Sequence, residues 1–451
     1  MAQPTLALNT TGTRLHTDVG LAEKITTRTA TVAVIGLGYV GLPLARVLGG
    51  AGYRVLGLEI DKTRVAALNA GTSYIDDVAD GDLRPLVTGG TVSATSDPKV
   101  LEGADAVIIC VPTPLTRAKQ PDLSYVTAAV AQIVPHLHPG QLIVLESTTY
   151  PGTTQEVVKP ILERSGLTAG EHFWLAFSPE RLDPGNRGRV IQAVPKIVGG
   201  LTPRCTELAT LLYQQVTAKV VPVSSSTVAE MVKVYENVFR NVNIALVNEL
   251  TLLCDRMGLD VWEIIEAAGT KPYGFMPFQP GPGVGGHCIP VDPYYLSAKA
   301  REYDFHVRFI ELAATVNDSM PYYVLSRTTA ALGGHGKTLR GAKVLILGVA
   351  YKKDISDPRE SPSLKIIELL EKRGATVAYH DPHVPHVALA NPRVTLTSVA
   401  LTDEVLEAAD CVVIATDHTA LDYTRVAAKA RLVIDTRNAL RGNGGPHVVR
   451  L

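Results

Sequence analysis

The chain has 451 residues, a length that corresponds to about three domains of ordinary size. Hydrophobic residues make up 46% and charged residues 19% of the sequence, which is typical of a globular rather than a disordered protein. The net charge of -1 argues against nucleic acid or an anionic membrane as the dominant partner, and neither a membrane span nor a secretory signal is predicted from the apolar pattern.

The first part of the chain alternates predicted strands and helices. Residues 1–29 are rich in threonine and aperiodic, which predicts a loosely held N-terminal arm. A β-branched run at 31–35 predicts a buried strand, and a glycine turn, a helix over 42–50 and a strand over 54–60 follow. Further strands are predicted over 106–111, 142–146 and 196–198. This alternation is typical of a doubly wound parallel sheet, so we assign residues 30–222 to a Rossmann domain.

A long helix is predicted next. Thr227–Glu230 has the form of a capping box, and a helical pattern runs from there to Met257, a length of roughly 45 Å. The helix is apolar nearly all round, which favours burial between domains. Helical sequence continues to about residue 332 and is interrupted by a Gly/Pro-rich loop at 271–293. We therefore predict a central helical domain over 223–332 that contains this loop.

The C-terminal part repeats the pattern of the N-terminal part. After a predicted linker at 333–336 come a strand over 343–347, a helix over 363–373 and a strand that ends near Asp381. Two more strands are predicted over 411–415 and 432–434. We assign residues 337–451 to a second Rossmann-like domain. The predicted fold is thus α/β, with two doubly wound Rossmann-like domains joined by a long central helix and a small helical domain.

The segment Gly36-Leu-Gly38-Tyr-Val-Gly41 lies directly after the first strand and opens a helix. Such glycines allow a pyrophosphate to approach the backbone, and the helix N-terminus attracts it. Glu59 ends the second strand, 23 residues after Gly36, where a carboxylate binds the adenosine ribose and repels a 2′-phosphate. Lys62 and Arg64 keep NADP open as an alternative. We predict an NAD site formed by Gly36, Gly38, Tyr39, Val40, Gly41 and Glu59. The turn at Gly348 in the second domain lacks the three glycines and should bind something else.

The loop Gly281–Pro293 contains the most specific pattern of the chain. Cys288 is flanked by glycines and therefore sterically open, and Asp292 could orient it or a water molecule. A thiolate can attack an aldehyde, and hydride transfer then converts the thiohemiacetal to a thioester. His287 and Cys288 lack further ligands at a suitable spacing, so no metal is predicted. The remaining cysteines lie in apolar sequence and are predicted to be core residues: Cys110, Cys205, Cys254 and Cys411. Scattered thiols, odd in number, indicate a reducing, cytoplasmic location.

Polar residues recur on the long helix at steps of three, four and seven: Glu230, Lys233, Asn237, Asn241 and Asn248. Because buried polar groups are costly unless paired, we predict that this stripe faces a site. Lys233 and Asn237, one turn apart, could stabilise a developing oxyanion there. The alternative is a face exposed to solvent.

Taken together, several segments resemble one family in their order along the chain. They are Gly36–Gly41, Val111–Pro114, Glu146–Thr149, Ser178–Arg181, Lys233 with Asn237, Gly285–Cys288 with Asp292, and Gly348–Asp354. This set resembles the UDP-glucose/GDP-mannose dehydrogenase family over about residues 30–440. The resemblance implies oxidation of the C6 alcohol of a nucleotide sugar to a carboxylate by two NAD in succession. It also implies a homodimer or larger homo-oligomer, to which the long helix is well suited.

The resemblance further implies roles for individual residues. Cys288 resembles the family nucleophile, and Lys233 and Asn237 resemble the pair that holds the oxygen of the intermediate. Asp292 resembles the carboxylate that assists proton transfer through water, and Glu180 is a second acid/base candidate. Two threonines resemble residues near the cofactor, Thr113 and Thr148, and the latter also lies beside the reacting centre. Substrate contacts are implied for Glu180, Lys233, Asn237, Tyr273, Gly285, Lys352 and Arg359.

Within the family, the sequence resembles one branch. The UDP-glucose enzymes typically have Asn-Pro-Glu-Phe and Gly-Gly-Ser-Cys-Phe-x-Lys-Asp, whereas Ser178–Asn186 and Gly285–Asp292 here resemble UDP-N-acetylhexosamine dehydrogenases. Met276–Gly283 and Tyr351–Pro362 are most similar to the UDP-N-acetylglucosamine 6-dehydrogenases. UDP-glucose and UDP-N-acetylmannosamine stay open as substrates. A one-step dehydrogenase, or a nucleotide-sugar-binding protein without turnover, is the alternative of another class.

Overall fold

The computed structural model describes residues 14–116, 118–181, 193–286, 289–389, 394–442 and 444–451, with side chains from residue 20 onward. The chain divides into two compact units, Met1–Tyr235 and Glu236–Leu451. The division falls inside one continuous helix, α8 (Ser226–Met257). The domain limits given above stay predictions.

The N-terminal unit is built on one eight-stranded sheet. Its strands are β1 (Thr31–Ile35), β2 (Arg54–Leu58), β3 (Val92–Thr95), β4 (Ala106–Ile109), β5 (Leu142–Leu145), β6 (Trp174–Phe177), β7 (Lys196–Gly200) and β8 (Val220–Pro222). Its helices before α8 are α1 (Arg14–Thr26), α2 (Gly41–Gly50), α3 (Lys62–Asn69), α4 (Asp80–Thr88), α5 (Ser124–Ile133), α6 (Lys159–Leu162) and α7 (Pro203–Gln214). The strand order is β3-β2-β1-β4-β5-β6-β7-β8.

The sheet owes its form to strands that are apolar along their whole length. Every residue of β4 and β5 is buried, as a parallel sheet covered on both faces requires. Separate hydrophobic clusters pack on its two faces. Strands β1 to β6 are parallel, but β6 and β7 pair antiparallel, so the sheet is mixed rather than wholly parallel.

The start of the described chain differs from the predicted arm. Residues Arg14–Thr26 form helix α1, and its Leu21 and Ile25 are buried in the core. The Tyr53 hydroxyl donates to the carbonyl of Ile25 at 2.7 Å, and Lys24 forms an ion pair with Asp105 at 2.7 Å. Two apolar residues one turn apart therefore suffice to anchor a segment whose other residues are mostly polar.

The C-terminal unit contains a five-stranded sheet and a separate two-stranded sheet. The strands of this unit are β9 (Lys343–Leu347), β10 (Thr376–His380), β11 (His386–Leu389), β12 (Val394–Thr397), β13 (Cys411–Ile414), β14 (Val433–Asp435) and β15 (Val448–Arg450). Its helices after α8 are α9 (Val261–Gly269), α10 (Asp292–Ala300), α11 (Arg308–Gly334), α12 (Pro362–Lys372), α13 (Asp403–Ala408) and α14 (Tyr423–Lys429). The order β10-β9-β13-β14-β15 is parallel throughout, and β11 and β12 form a separate antiparallel pair. The predicted α/β fold with two Rossmann-like domains is confirmed.

On helix α8 the polar stripe is buried and large apolar side chains are exposed, which is the reverse of an ordinary surface helix. The five residues of the polar stripe are all buried, so the interpretation as a solvent-exposed face is wrong. Eight large apolar side chains of the helix are exposed: Val228, Met231, Tyr235, Phe239, Leu246, Leu250, Leu253 and Met257. At 3.6 residues per turn the two sets lie roughly 180° apart on the helix. The apolar face is therefore exposed in the single chain, and not buried as its composition predicts.

Helix α11 continues through Gly333 and Gly334, which were predicted to begin a linker, and only Gly336 has the positive φ, of 70°, that ends it. None of the helices in the described part of the chain is both long and apolar enough to cross a membrane.

Candidate active site

The glycine turn after β1 has the geometry that a bound pyrophosphate needs. Gly36 has a φ of 86°, and a Cβ on Gly41 would lie 1.9 Å from the Gly36 carbonyl oxygen, so both positions exclude a side chain. A Cβ on Gly38, in contrast, would meet no atom of the described residues within 4 Å. The N-terminus of α2 follows, and Val40 at its N-cap provides no side-chain hydrogen bond. The turn is thus tight, and its middle glycine faces open space.

Glu59 fixes this turn through its carboxylate. One oxygen accepts the Leu37 N–H at 3.0 Å and the other accepts the Asp61 N–H at 3.0 Å. The Tyr74 hydroxyl donates to the Leu37 carbonyl at 2.9 Å, and the Arg64 guanidinium lies 5.5 Å from the Tyr74 ring centre and 3.8 Å from a Glu59 oxygen. Burial, followed by the charge of Glu59, raises the pKa of Tyr74 to about 12, so its hydroxyl stays a donor.

Three other predicted site residues follow the carboxyl ends of neighbouring strands. Thr113 comes after β4, Thr148 after β5 and Glu180 after β6, and all three are partly exposed. In open α/β sheets ligands bind at this edge. Ser147 donates to the Val111 carbonyl at 2.8 Å, which joins the loops that carry the two threonines.

A buried charged cluster at the same edge was not predicted. The Lys196 ammonium lies 3.0 Å from a Glu146 oxygen and 3.6 Å from a Glu180 oxygen, and the Tyr213 hydroxyl donates to Glu146. The one signal in the sequence was a lysine and a glutamate beside strands that are otherwise apolar. Cys110 lies nearby, and burial raises the pKa of its thiol, as expected of an unreactive core cysteine. Cys205, Cys254 and Cys411 are buried as predicted.

Lys233 is buried on α8, and Glu230 anchors the same part of that helix. The Glu230 carboxylate accepts the N–H of Gly152 at 2.5 Å, and the N–H and hydroxyl of Thr154 at 2.8 and 2.6 Å. The loop after β5, which carries Thr148, is therefore tied to the turn of α8 that precedes Lys233.

In the C-terminal unit, two predicted catalytic residues contact each other. The Asn237 side-chain amide donates to the Asp292 carboxylate, and both side chains are buried. Asp292 is the first residue of α10, where a negative charge is stabilised by the helix dipole. An amide has two N–H groups, so this bond leaves Asn237 with a second donor.

The remaining asparagines of the polar stripe are structural. Asn317 of α11 donates to the Asn241 side-chain oxygen at 2.8 Å and accepts from Asn248 at 2.9 Å. Asn248 in turn accepts the N–H of Gly281 at 3.0 Å. These amides join α8 to α11 and to the start of the glycine-rich loop, so the stripe does not face a site along its full length.

His287 and Cys288 lie outside the described residues. Gly285 and Gly286, just before them, contact the segment after β9. Gly286 donates its N–H to the Arg359 carbonyl at 3.1 Å, and Gly285 packs against the Tyr351 side chain. The loop that leads to Cys288 is thereby attached to the segment after β9, which contains the predicted substrate residues Lys352 and Arg359.

Three other predicted substrate residues, Lys352, Arg359 and Tyr273, are partly or largely exposed. Lys352 is half-buried, and the exposed Arg359 guanidinium is held by the Asp357 carboxylate at 2.6 to 2.9 Å. Tyr273 is 74% exposed, and the Lys271 ammonium lies 5.1 Å from its ring centre.

A pocket of about 540 Å³ opens at the carboxyl edge of the second sheet. Three cationic residues that were not predicted line it, Lys353, Arg437 and Arg441, and Asp417 lies 3.5 Å from the Lys353 ammonium. Trp262 and Tyr423 add aromatic walls. Lys353 follows β9 and Arg437 follows β14, so the signal that could have identified them is their position just after predicted parallel strands. A cationic pocket with aromatic walls suits a nucleoside diphosphate.

The turn after β9 differs from the glycine turn after β1. Gly348 has a φ of 83°, but the N–H groups of Val349 and Ala350 both donate to Asp381, at 2.7 and 3.0 Å. Burial would raise the pKa of Asp381, but the His418 hydrogen bond and the backbone N–H groups outweigh it and lower that pKa to about 2.

One group of potential metal ligands occurs in the described residues: Asp354, His383 and His418. Both ring nitrogens of His418 are already engaged, because Nδ1 accepts the Asp354 N–H at 2.9 Å and Nε2 donates to Asp381 at 3.1 Å. This arrangement fits a structural histidine and leaves it without a lone pair for a cation.

Comparison with known proteins accounts for most of the chain. Three models described as the NAD binding, central and UDP binding domains of the UDP-glucose/GDP-mannose dehydrogenase family match residues 30–217, 227–319 and 345–442. The chain belongs to this family. It is therefore an NAD-dependent UDP-sugar dehydrogenase.

Similar members of the family carry different substrate names. NDP-N-acetyl-D-galactosaminuronic acid dehydrogenase of Ralstonia nicotianae is 39% identical over 90% of this chain and 95% of its own. UDP-N-acetyl-D-glucosamine 6-dehydrogenase of Pseudomonas aeruginosa is 41% identical over 78% of this chain and 83% of its own. The structure of a UDP-D-ManNAc dehydrogenase from Pyrococcus horikoshii has a TM-score of 0.85 at 34% identity, over 93% of this chain and 98% of its own.

The residues of the N-terminal unit fit the cofactor of the family. The open position at Gly38 and the helix N-terminus after it suit the pyrophosphate, and Glu59, just after β2, has the position from which a carboxylate would accept the adenosine ribose hydroxyls. A carboxylate there would repel the 2′-phosphate of NADP. The Arg64 guanidinium lies 3.8 Å from a Glu59 oxygen.

Proposed function

We propose that this family member oxidises the C6 alcohol of a UDP-N-acetylhexosamine, UDP-N-acetylglucosamine first, to the uronate in two steps at one site. The observation that carries the proposal is the buried hydrogen bond between Asn237 and Asp292, four residues after Cys288. This bond links Asn237, the proposed donor to the substrate oxygen, with Asp292, the proposed carboxylate for proton transfer. Both residues belong to the C-terminal unit, as does the loop that carries Cys288.

The proposed roles of the residues follow the charges that develop. NAD, when bound, accepts the hydride that C6 loses in each oxidation. In the first, Asp292 takes the hydroxyl proton through water while Lys233 and Asn237 bind the oxygen. The Cys288 thiolate then adds to the aldehyde carbon and forms a thiohemiacetal, which the second oxidation converts to a thioester. Water attacks the thioester, Glu180 or Asp292 accepts its proton, and the Cys288 thiolate leaves as the uronate forms.

Substrate recognition is assigned to the C-terminal unit and to the loops of the N-terminal sheet. The pocket around Lys353, Arg437 and Arg441 suits the diphosphate, and Lys352 directly precedes Lys353 in the chain. Thr148 and Glu180 are assigned to the sugar end. The preference for N-acetylglucosamine rests on the resemblance of Met276–Gly283 and Tyr351–Pro362 to the UDP-N-acetylglucosamine 6-dehydrogenases and on the 41% identical relative.

The experiment is a panel of UDP-sugars with NADH counted per sugar consumed. We expect two NADH from UDP-N-acetylglucosamine, and little from UDP-glucose or UDP-N-acetylmannosamine. Cys288→Ser should stop uronate formation, and Cys110→Ser, at a buried thiol, is the matched control. One NADH per sugar would favour a one-step dehydrogenase. Tight binding of UDP-sugars without any NADH would favour a binding protein that has lost turnover.

We also propose that the protein forms a homodimer or a larger homo-oligomer through α8. The argument is the exposed apolar face of that helix, where Leu246, Leu250 and Leu253 are 44 to 53% exposed. A contiguous apolar face on one side of a long helix is costly in water and is typical of a protein interface.

A further inference from the structure

Among the described residues, the charged cluster at Glu180 consists of Lys196, Glu146 and Glu180 itself. Lys196, the first residue of β7, is 6% exposed, and Glu146, directly after β5, is fully buried. Glu180 is the most accessible of the three, with 16% of its side chain exposed. The cluster therefore has a buried ion pair at its base and a second carboxylate toward the surface.

The ammonium of Lys196 remains charged in this position. Burial lowers the pKa of Lys196, but the charges of Glu146 and Glu180 outweigh burial, so that its pKa is raised. The Tyr213 hydroxyl donates to the Glu146 oxygen that Lys196 does not contact, and the Lys196 ammonium lies 5.1 Å from the Tyr213 ring centre. The Glu146 carboxylate thus holds the cation in place, and Tyr213 satisfies the other Glu146 oxygen.

Glu180 is constrained through both of its oxygens. Its Oε1 accepts the N–H of Arg181 at 2.7 Å, and its Oε2 faces the Lys196 ammonium at 3.6 Å. Because the Lys196 ammonium is itself buried and held by Glu146, its contact fixes the orientation of the more exposed of the two carboxylates.

We propose that Lys196 is a positioning residue of the oxidation: its ammonium orients the Glu180 carboxylate so that Glu180 can accept a proton from the substrate or water. The inference rests on the proposed function, in which Glu180 is an acid/base group. Glu146 acts only by anchoring Lys196.

The test compares variants that separate charge from folding. Lys196→Met leaves two buried carboxylates without a cation, which threatens folding, so the decisive variant is Glu146→Gln/Lys196→Met, in which the buried pair is removed as a whole. We expect kcat at neutral pH to fall at least about tenfold, with KM for the UDP-sugar changed less than about threefold. Lys196→Arg, which keeps a cation beside Glu180, should restore most of the activity.

The matched control is Tyr213→Phe, which removes one hydrogen bond to Glu146 and leaves the ammonium beside Glu180. Its kcat should stay within about threefold of wild type. If wild type yields two NADH per sugar and the double variant keeps the wild-type kcat, the inference is wrong and the proposed function stands. A loss of kcat that Lys196→Arg does not restore also overturns it, since that would indicate a structural role. If wild type yields no NADH from any UDP-sugar, the proposed function falls and this inference with it.

Discussion

Replacing the buried Glu230 by glutamine should change how the stability of the N-terminal unit depends on pH. The Glu230 carboxylate is fully buried and accepts three hydrogen bonds from Gly152 and Thr154. Burial raises its pKa to about 7, although the hydrogen bonds oppose the shift, and the charge of Glu156 adds to it. In the unfolded chain the same carboxyl has its ordinary pKa of 4.5.

The sign of the effect follows from proton binding. Between these two pKa values the folded protein holds a proton that the unfolded chain has released, so the free energy of unfolding falls as pH rises. From about pH 5.5 to about pH 8 the loss amounts to about 2 kcal/mol. Glu230→Gln cannot titrate and escapes this loss. Its free energy of unfolding, relative to wild type, should therefore rise by about 2 kcal/mol over the interval, whatever constant offset the amide introduces at the Gly152 N–H.

The assay is urea denaturation at the two pH values, followed by tryptophan fluorescence. Trp174 lies in the N-terminal unit and Trp262 in the other, so a Trp262→Phe background reports the N-terminal unit alone. Glu249→Gln, at an exposed glutamate of the same helix, is the matched control and should show no such change. A difference between Glu230→Gln and wild type that stays constant with pH would refute the reasoning.

Three further predictions follow from other contacts. Glu59→Gln should raise KM for NAD about tenfold or more in initial-rate measurements, because the amide cannot accept both the Leu37 and the Asp61 N–H; an unchanged KM would contradict this. Asp381→Asn should cost the C-terminal unit about 2 kcal/mol near neutral pH in urea denaturation, and the cost should shrink as pH falls from about 4 toward 2, since the pKa of Asp381 is about 2 when folded and 3.8 when unfolded. Leu250→Glu should lower the oligomeric state in sedimentation, whereas Val394→Glu, at an equally exposed residue, should not.

The fold was predictable where strands are apolar along their length. The predicted strand at 31–35 matches β1, and that at 343–347 matches β9, because a strand buried on both faces leaves no room for polar residues. Edge strands give no such signal: β3 alternates buried and exposed residues over four positions, and β15 is only partly buried. Neither was predicted. Helix α1 was missed for a similar reason, because two apolar residues anchor it.

The site was predictable as a set of residue types but not as a set of contacts. The family resemblance implied that Asn237 and Asp292 belong to one site, yet 55 residues separate them and only the fold shows their hydrogen bond. The polar stripe on α8 was predicted from the spacing of its residues. That spacing is the same for a residue that faces a site and for one such as Asn248, which links α8 to α11 through Asn317. Lys196 was missed because one lysine at the start of a strand is usually exposed, and sequence carries no measure of its depth.

The turns of the two Rossmann-like sheets differ in how well they suit a dinucleotide. In each, a carboxylate just after the second strand accepts N–H groups from the turn after the first. Glu59 receives one backbone N–H on each oxygen, which leaves lone pairs for ribose hydroxyls. Asp381 receives two backbone N–H groups and His418 on one oxygen, and two further backbone N–H groups on the other. Its acceptor capacity is full, so it stabilises its own turn and has no acceptor left for a ribose, which supports our proposal that the diphosphate binds at the cations beyond the strands.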